Sequence, residues 1–600
     1  MAADEQGGTG AALADPWAPL EGPLVRALAD ALAARGVSLP VEQVALQLDW
    51  SGGEHGDLAL PLHRPAKSLG RPPADLATEL AAAFPPVAGL LPATAVGAFL
   101  NFTAEPRRLA ETTLRSIFER GPAYGHLDGP APPVCVEHTS ANPTGPFHVG
   151  RVRNGIIGDT LARVLAATGA PVTSQYYVDD VGRQAAMITW IWSKPLPEWP
   201  QEIRAVLPAE DDPRERADRR LGRPYPAVSQ YLKTHPEAAG EVQAISRALE
   251  SGRPPASHHA LVDKVLNGML ASLARIGIRF DELVWESRFL TTGEVERVVA
   301  RLGAAPHAVT EPNGARAIDT SSYGLPKDSA RVIVARGDGT TLYATRDVAY
   351  HLEKFSRFPR VIDVLGQDHH LHARTLDALL AEIGESRRPE FVIYQDITVP
   401  EGGRMSTRHG KAVYLDDLLD EAETRARAEI LARHEDLPPE EVAAIARTIA
   451  ASAVRYHILR VAPDKTVAFR WEDALSFEGR SGPFLQYSYA RASSILRKAE
   501  AEAGPWPFDP DRLTTPPERA LIKRLSLLPG VVARVARTTH VHALAGFAHQ
   551  LAEEFNRFYE TTPVLKAEAE RASRLAVVAA TRRALGNTLD LLGLAPLERM

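Results

Sequence analysis

The spacing of hydrophobic residues divides the chain into three parts. Up to about residue 105, helical and alternating patterns are mixed, with helices predicted over 23–35 and 74–83 and strands over 44–48 and 98–102. Residues 134–178 follow the order strand, loop, helix, strand, which is the βαβ unit of a parallel sheet. From about residue 415 the period is almost entirely helical. The pattern therefore predicts a small α+β region, a parallel α/β region and a helical carboxyl-terminal region.

Proline- and glycine-rich segments and changes of period set the expected boundaries. We expect an amino-terminal α+β domain at 18–105, a connector at 106–133 with a helix over 106–120, and a Rossmann-type parallel-sheet domain at 134–414 that carries an insertion at 193–320. After the insertion the sheet is expected to resume at 330–336, 361–365 and 391–394, with a helix at 373–383. A helical region at 415–479 and a helical domain at 480–600 complete the chain, with predicted helices at 416–433, 440–461, 484–501, 518–537, 541–559 and 571–592.

Composition narrows the class of protein. Of the 600 residues 45% are hydrophobic and 24% charged, as in an ordinary soluble globular protein of several domains. The single cysteine, Cys135, excludes an internal disulfide and is predicted to be a small core residue. The first 15 residues carry three acidic and no basic side chains, and the uncharged run 81–104 is broken by prolines. We therefore expect a cytoplasmic protein with no membrane segment.

The charge changes sign along the chain. The formal net charge is −7 and the pI about 6.3, which gives no overall attraction to a polyanion. Residues 480–600, however, hold 17 Lys and Arg against 12 Asp and Glu, a net of +5. Only 11 of the 68 basic residues are lysines. Nucleic-acid binding by the carboxyl-terminal part is therefore compatible with the acidic total.

The strongest local motif is the loop between the first strand of the βαβ unit and its helix, Ser140-Ala-Asn142-Pro-Thr-Gly-Pro146-Phe-His148-Val-Gly150-Arg151. This loop stands at the carboxyl edge of the predicted sheet, where such folds bind ligands. Free amides at the helix start favour an anion, and His148 can donate to a phosphate. Gly150 allows a flat ring to approach the backbone. A glycine- and proline-rich turn with a capping histidine is the alternative.

The residues from Glu137 to Arg151 resemble the HIGH signature of class I aminoacyl-tRNA synthetases, in the form found in arginyl-tRNA synthetases. The resemblance implies a Rossmann-type catalytic domain whose ATP site includes Pro146, His148, Gly150 and Arg151. Arg151 stands where the family usually has a second histidine. An arginine can bind phosphate or ribose, but it stays charged.

A second segment, residues 401–411, resembles the KMSKS signature of the same class. Its task is to place cations on the ATP phosphates as charge develops on the leaving pyrophosphate. The resemblance implies catalytic roles for Arg404, Ser406, Arg408 and Lys411, with Met405 and Ser406 at ATP. Arg404 and Thr407 replace the two lysines of the signature, so Arg408 or Lys411 is expected to take over. Taken alone, a basic surface loop would explain the segment.

An amino-acid pocket is expected from Tyr343 and Asp347, which share one helical face. A carboxylate beside an aromatic ring suits a planar guanidinium, although an ordinary surface pair has the same spacing. The resemblance agrees and adds further arginine-binding residues: Glu137, Ser140, Asn142, His369 and, less directly, Gln367. It also implies that Asp180 and Gln184 line the cleft. A metal pair at Asp179 and Asp180 is disfavoured, because adjacent carboxylates usually point apart.

RNA contacts are expected at both ends of the chain. Tyr487 and Arg491 lie four apart on one predicted helical face, with Arg497 nearby, which is typical of a stacking group among cations. An aromatic packed inside a helical bundle would look the same. The resemblance implies that this helix opens the anticodon-binding domain and that Asn101 and Phe102, in the amino-terminal domain, contact the elbow of the tRNA.

The resemblance as a whole implies an enzyme that activates L-arginine with ATP and Mg²⁺ and transfers it to tRNA(Arg). It also implies that activation waits for bound tRNA. We expect a monomer that binds neither DNA nor membranes and has no editing domain. Two alternatives stay open: another class I synthetase, and a non-catalytic tRNA-binding paralogue that kept the scaffold.

Overall fold

The amino-terminal region is a small antiparallel sheet covered by helices. The computed structural model describes residues 15–49, 55–208, 215–399, 403–404, 413–433, 437–499 and 507–600. The region comprises α1 (Ala18–Ala33), α2 (Val41–Ala45), β1 (Leu58–Pro61), α3 (His63–Ser68), α4 (Pro73–Ala83), β2 (Thr94–Val96) and β3 (Phe99–Phe102), and the connector is α5 (Pro106–Arg120). The strand order is β1-β3-β2. The strand predicted at 44–48 is wrong: this segment forms α2, which begins after Pro40, has Glu42 in its first turn and buries only Val44.

The middle of the chain builds a parallel sheet with helices around it. Its elements are β4 (Val134–Glu137), α6 (Val152–Ala166), β5 (Val172–Val178), α7 (Arg183–Trp192), α8 (Gln201–Arg204), α9 (Ala217–Gly222), α10 (Tyr225–Thr234), α11 (Pro236–Glu250), α12 (His258–Ala274), β6 (Glu282–Trp285), α13 (Ser287–Thr291), α14 (Glu294–Gly303), β7 (Ala308–Thr310), β8 (Arg316–Asp319), β9 (Arg331–Ala335), α15 (Tyr343–Arg357), β10 (Arg360–Gly366), α16 (His370–Glu382) and β11 (Glu390–Tyr394). The five strands run in the order β11-β10-β4-β5-β6, all parallel. The carboxyl end of β4, where ligands of such sheets bind, therefore lies at the centre.

Two expectations about this sheet are wrong. The edge strand β6 falls inside the predicted insertion at 193–320 and pairs with β5. It escapes notice because only Val284 of its four residues is fully buried, so the strand lacks a continuous apolar run. The segment predicted at 330–336 does form a strand, β9, but it belongs to a separate antiparallel sheet, β7-β8-β9.

The remainder of the chain contains a small three-stranded sheet together with helices, two of which lie between its second and third strands in the sequence. Its elements are β12 (Ile397–Val399), β13 (Gly403–Arg404), α17 (Leu415–Arg433), α18 (Pro439–Leu459), β14 (Val467–Ala468), α19 (Trp471–Ala474), α20 (Gly482–Lys498), α21 (Pro516–Ser526), α22 (Leu528–Thr538), α23 (His542–Thr561) and α24 (Arg571–Leu591). The single helix predicted at 518–537 is two helices, because Pro529 has no N–H to continue α21 and instead stands in the first turn of α22. Among the described residues, no helix is both long and apolar enough to cross a bilayer.

Buried polar contacts join the regions. Trp17 Nε1 donates to Ser526 Oγ at 2.9 Å, which ties the amino-terminal region to α21. Arg455 of α18 is fully buried and donates to the Asp159 carboxylate at 2.6 Å and to the carbonyl oxygens of Ile276 and Leu592 at 2.8 and 3.1 Å. Since Asp159 lies on α6 and Leu592 follows α24, one guanidinium links the helix of the predicted ATP site to the last helix of the chain.

Candidate active site

The turn after β4 has a strained backbone and is held in place by Asn154. Thr139 and Ser140 have positive φ angles of 72° and 35°, which non-glycine residues rarely adopt. The Thr139 amide donates to Asn154 Oδ1 at 2.6 Å, and Asn154 Nδ2 donates to the carbonyl of Val364 at 2.7 Å. Asn154 of α6 therefore fixes the turn against β10 and sets the course of the loop that carries His148.

His148 presents one nitrogen outward. The backbone N–H of Gly150 donates to His148 Nδ1 at 2.9 Å, so a neutral ring carries its proton on Nε2. Burial, and then the charge of Arg151, lower the pKa of His148 and favour this neutral form. A Cβ on residue 150 would lie 3.0 Å from Nδ1, which explains the glycine. His148 is thus a hydrogen-bond donor at the start of α6.

The residues that follow the second signature pair with the first signature. The Val149 amide donates to the carbonyl of Val413 at 3.0 Å, and the Leu415 amide donates to that of Phe147 at 2.8 Å. The residues just after the second signature therefore pair with the half-buried turn that follows Pro146. Most of that signature, with Met405, Ser406, Arg408 and Lys411, lies outside the described residues; of Arg404 only the backbone, in β13, is described.

Arg151 faces the turn that follows β10. Its Nη2 lies 3.4 Å from Asp368 Oδ2, and both side chains are substantially exposed, so the pair is weak. Arg151 is therefore available to an anionic ligand. The neighbouring Gln367 is exposed, and His369 is half-exposed, with Nε2 3.6 Å from Asp368 Oδ2.

Glu137 ends β4 with both carboxylate oxygens engaged. Ser140 Oγ donates to Oε1 at 2.9 Å, and the fully buried ammonium of Lys354 donates to Oε2. Burial raises the pKa of Glu137 and Lys354 opposes the rise. The Ser140 hydroxyl also accepts from the Tyr177 amide at 3.0 Å, so Glu137 and Ser140 are fixed as one unit between β4 and β5.

Asn142 contacts two residues at and after the end of β5. Its Nδ2 donates to Asp179 Oδ2 at 2.8 Å and to Gln184 Oε1 at 3.2 Å, so Gln184 lies beside the loop that carries Asn142. Asp180 corrects the prediction: it is 2% exposed, and its Oδ1 accepts from the Ser287 amide at 2.9 Å at the start of α13. The two adjacent carboxylates point apart, and Asp179 is the one that contacts the loop.

Tyr343 and Asp347, at the start of α15, form the other end of the predicted arginine site. Tyr343, the first residue of α15, is 62% exposed, and Asp347 follows one turn later. Asp347 Oδ1 lies 3.0 Å from His351 Nδ1, and Oδ2 lies 2.6 Å from His372 Nε2. Burial alone would raise the pKa of Asp347, but the two imidazoles bring it well below its usual range. This end therefore presents a stable carboxylate beside an exposed aromatic ring.

A buried charge network joins the two ends. Lys354 Nζ lies 2.8 Å from Asp363 Oδ1, and His351 Nε2 lies 2.7 Å from Asp363 Oδ2. Burial and Lys354 work against a charge on His351, but Asp347 and Asp363 raise its pKa to about 10. Contacts therefore run without a break from Glu137 through Lys354, Asp363 and His351 to Asp347.

The network is not a metal site. Glu137, His351 and Asp363 offer ligand atoms within 4.8 Å of one another, the one such group found among the described residues. The Lys354 ammonium is bonded to both carboxylates of this group, so a cation already occupies the place of an ion. The residues do not fit a resident Mg²⁺.

The sequence interpretation missed Lys354, His351, Asp363 and His372. A signal for two of them was present, because His351 and Lys354 continue the face of α15 that Tyr343 and Asp347 begin, at intervals of four and three residues. Asp363 and His372 lie on β10 and α16, and only the fold brings them to that face.

Arg346, Glu286 and Tyr177 form a further group of buried polar side chains. Arg346 Nε donates to Glu286 Oε1, and Arg346 Nη1 donates to the carbonyl of Thr341 at 2.8 Å. The Tyr177 hydroxyl is buried without a hydrogen-bond partner in the described part of the chain, while its ring stacks on Tyr350 with centroids 4.6 Å apart. Burial, with Glu286 and Asp347 nearby, raises the pKa of Tyr177.

The amino-terminal RNA prediction needs correction. Phe102 is 1% exposed and packs on Phe84 with ring centroids 5.0 Å apart, and Asn101 is 5% exposed. Both side chains belong to the interior of the small domain and neither is presented to a ligand. On the same strand, Phe99 is 38% exposed.

Two of the three residues predicted to contact RNA at the carboxyl-terminal end lie together. The Arg491 guanidinium lies over the rings of Tyr487 and Tyr559, at 4.8 and 5.0 Å from their centroids, and both rings are partly exposed. Asn556 Oδ1 accepts from Arg491 Nη1 at 2.6 Å and fixes the stack. Arg497 is not part of it, since it lines a different cleft beside Arg582 and Glu598.

Family models match three successive parts of the chain. Residues 23–104 match the arginyl tRNA synthetase N terminal domain, residues 117–471 the catalytic domain of class I tRNA synthetases (R), and residues 485–600 the DALR anticodon binding domain. The catalytic model alone spans more than half of the chain.

Known proteins agree with the models. An arginine–tRNA ligase of Methanocella arvoryzae is 39% identical over 91% of this chain and 94% of its own length, and one of Methanosarcina barkeri is 37% identical over 96% and 98%. The Thermus thermophilus arginyl-tRNA synthetase structure superposes with a TM-score of 0.81 at 29% identity, covering 97% of this chain and all of its own. The Plasmodium falciparum arginyl-tRNA synthetase, at 17% identity and a TM-score of 0.73, shares the fold. The resemblance seen in the two signatures is thereby confirmed, and the chain belongs to the class I arginyl-tRNA synthetase family.

Proposed function

We propose that this chain is an arginine–tRNA ligase that uses the pocket between Glu137 and Asp347 for arginine. The observation that carries the proposal is an ionised carboxylate, Asp347, one helical turn from the exposed ring of Tyr343. The buried network connects this first end to a second end at Glu137 and Ser140, on the loop that also carries Asn142. A guanidinium fits the first end by charge and shape. An α-ammonium fits the acceptors of the second, and the neutral His148 donor stands on the loop beside it.

In the first step the substrate carboxylate attacks the α-phosphorus of ATP, and pyrophosphate leaves. The work of the protein is to position the reactants and to stabilise the developing charge. We assign the His148 Nε2–H, the free amides at the start of α6 and Arg151 to the phosphates. The loop at 401–411 is expected to add further cations, because its following residues pair beside His148.

Mg²⁺ enters this proposal only as the counter-ion that accompanies ATP. Glu137, His351 and Asp363 are held by Lys354, so no resident metal is assigned. No step is derived through the ion.

In the second step the terminal ribose of the tRNA takes the arginyl group. We assign the stack of Tyr487, Arg491 and Tyr559 to unpaired bases, because aromatic rings interleaved with a guanidinium bind single-stranded nucleotides. A monomeric state and a cytoplasmic location remain predictions, the first of them open to sedimentation analysis.

The pocket also accounts for selectivity. An analogue without a guanidinium forms no charged pair with Asp347, and sites built to bond one polar group of the substrate reject analogues that lack this group by about 10⁴ or more. This is consistent with the expectation that no editing domain is needed.

The test is ATP-dependent charging of tRNA(Arg) with arginine, with lysine and citrulline as competitors. We expect charging with arginine alone. Absence of charging, with tRNA binding retained, would favour a non-catalytic paralogue; charging with another amino acid would show a different synthetase of the class.

A further inference from the structure

His372 is the most accessible partner of the substrate-binding carboxylate. Its Nε2 lies 2.6 Å from Asp347 Oδ2, and its side chain is 21% exposed, whereas His351, on the other oxygen, is 2% exposed. The ring stands against Tyr343 with centroids 5.2 Å apart. His372 therefore occupies the side of Asp347 that faces Tyr343, where the proposed guanidinium would bind.

Only one ring nitrogen of His372 has a hydrogen-bond partner among the described residues. Its Nδ1 is buried without a hydrogen-bond partner in the described structure, so Asp347 is its one recorded hydrogen-bond acceptor. His351, by contrast, bonds both Asp347 and Asp363 and forms part of the buried network. A cationic ligand at Asp347 can displace His372 with the loss of one contact, but it cannot displace His351 without breaking the network.

Within the connected group that runs from Glu137 to Asp347, the charges balance when His372 is protonated. Three carboxylates, Glu137, Asp347 and Asp363, lie in one connected group with Lys354 and His351. Two fixed cations against three anions leave one negative charge, which a protonated His372 neutralises. Arginine brings one net positive charge, so a bound substrate and a protonated His372 would leave the group with an excess of one.

We propose that His372 stands in for the guanidinium in the free protein, and that arginine displaces its ring from Asp347 and releases its proton. The inference rests on the proposed function, because it assumes that Asp347 binds the guanidinium. His372 is then a residue that couples arginine affinity to pH, and protonation makes it a competitor of the substrate.

The groups around His372 favour its protonated form in the free protein. Besides Asp347 and His351 on α15, Glu137 on β4 and His369 in the preceding turn face His372, and Tyr343 covers its ring. Burial opposes a charge on His372, but Asp347 outweighs it and raises the pKa of His372. Burial lowers the pKa of His369, so His369 does not supply a second proton.

The experiment is calorimetric titration of the whole chain with L-arginine in buffers of different ionisation enthalpy, over about pH 5.5–8.5. We expect proton release to approach one per arginine at pH values between the pKa of the displaced ring and the raised pKa of His372 in the free protein, and to decline on either side. The affinity should rise about tenfold per pH unit until His372 is neutral in the free protein, and then level off. His372→Gln, which keeps an N–H donor but does not titrate, should bind arginine with little proton release and little pH dependence.

The matched control is His307→Gln. His307 Nδ1 lies 2.7 Å from Glu382 Oε1, a second histidine–carboxylate pair outside the pocket, and its loss should leave proton release unchanged. Arginine binding without proton release, or equal release by His372→Gln, would overturn the inference alone. A chain that binds no arginine at all would overturn the proposed pocket as well. If His372→Gln does not fold, His372→Asn is the second non-titrating variant, and absence of proton release from the wild type would overturn the inference without any variant.

Discussion

The ring of His148 is oriented by Gly150, two residues further on. The backbone N–H of Gly150 donates to Nδ1 at 2.9 Å, which a protonated imidazole could not accept. The contact therefore selects the neutral ring and leaves Nε2–H as its donor.

The pH dependence of activation should follow this orientation. Because burial and Arg151 lower the pKa of His148, the neutral donor persists below the usual imidazole value of about 6.5 and is lost only at more acidic pH. At saturating arginine, kcat of tRNA-supported pyrophosphate exchange should stay level through pH 6.5. His148→Ala should lower it roughly 100-fold, as removal of one oriented donor does elsewhere. A fall centred at or above 6.5 in the wild type would contradict the assignment.

Removing the charge of Asp347 should damage arginine recognition. Asp347→Asn is expected to cost at least ~2–3 kcal/mol in kcat/KM for arginine, about 30- to 150-fold, because a charged pairing becomes a neutral one. KM for ATP should change little. Asp377→Asn, at a half-buried carboxylate on α16, serves as the control. Unchanged arginine kinetics in Asp347→Asn would remove this residue from the pocket.

The buried network should make stability depend on pH. His351 has a folded pKa of about 10 against about 6.5 unfolded, so its contribution is complete below 6.5 and declines as pH rises towards 10. The free energy of unfolding, measured by urea denaturation, should therefore fall between pH 6.5 and pH 8.5. His351→Gln should flatten this slope. An equally steep slope in the variant would assign the effect to another group.

The stack on α20 should matter for RNA and not for arginine. Arg491→Ala or Tyr559→Ala should weaken tRNA(Arg) binding by about 1–3 kcal/mol, the usual worth of one base stacked on an aromatic ring. Filter binding at fixed salt measures the effect. Arg497→Ala, on a different cleft, should weaken binding less. Equal losses in all three variants would indicate a diffuse electrostatic surface rather than a stacking site.

The second signature lacks its two usual lysines, and Lys411, a few residues further on, is a candidate to replace them. Lys411→Ala should slow pyrophosphate exchange more than Thr407→Ala does, if Lys411 supplies the charge that stabilises leaving pyrophosphate. Arg408→Ala is the comparison that separates the two cations. A Lys411→Ala protein of wild-type rate would give the task to Arg404 or Arg408.

Long periodic elements were predictable, and short ones were not. The connector helix α5 and the buried strand β5 have the expected bounds, because each carries an unbroken pattern of its own period. The edge strand β6 buries a single side chain fully, and α2 is only five residues long, so neither contains enough pattern to decide.

The site was predictable where it depended on local spacing. Tyr343 and Asp347 meet because four residues make one helical turn. By contrast, the choice between Asp179 and Asp180 depends on which side of the chain each residue faces as it leaves β5, and the pairing with Ser287 settles it. Phe102 illustrates the same limit, since only the position of the helices tells which face of a small sheet is buried.

The guanidinium of Arg455 limits how the helical region can move on tRNA. Arg455 has no water-exposed surface, and it donates both to Asp159 of α6 and to the carbonyl of Leu592, just after α24. A shift of α24 must therefore carry α6 with it or leave a buried cation short of acceptors, which costs several kcal/mol. We therefore expect α24 and α6, the helix of the proposed ATP site, to move as one rigid unit when tRNA binds.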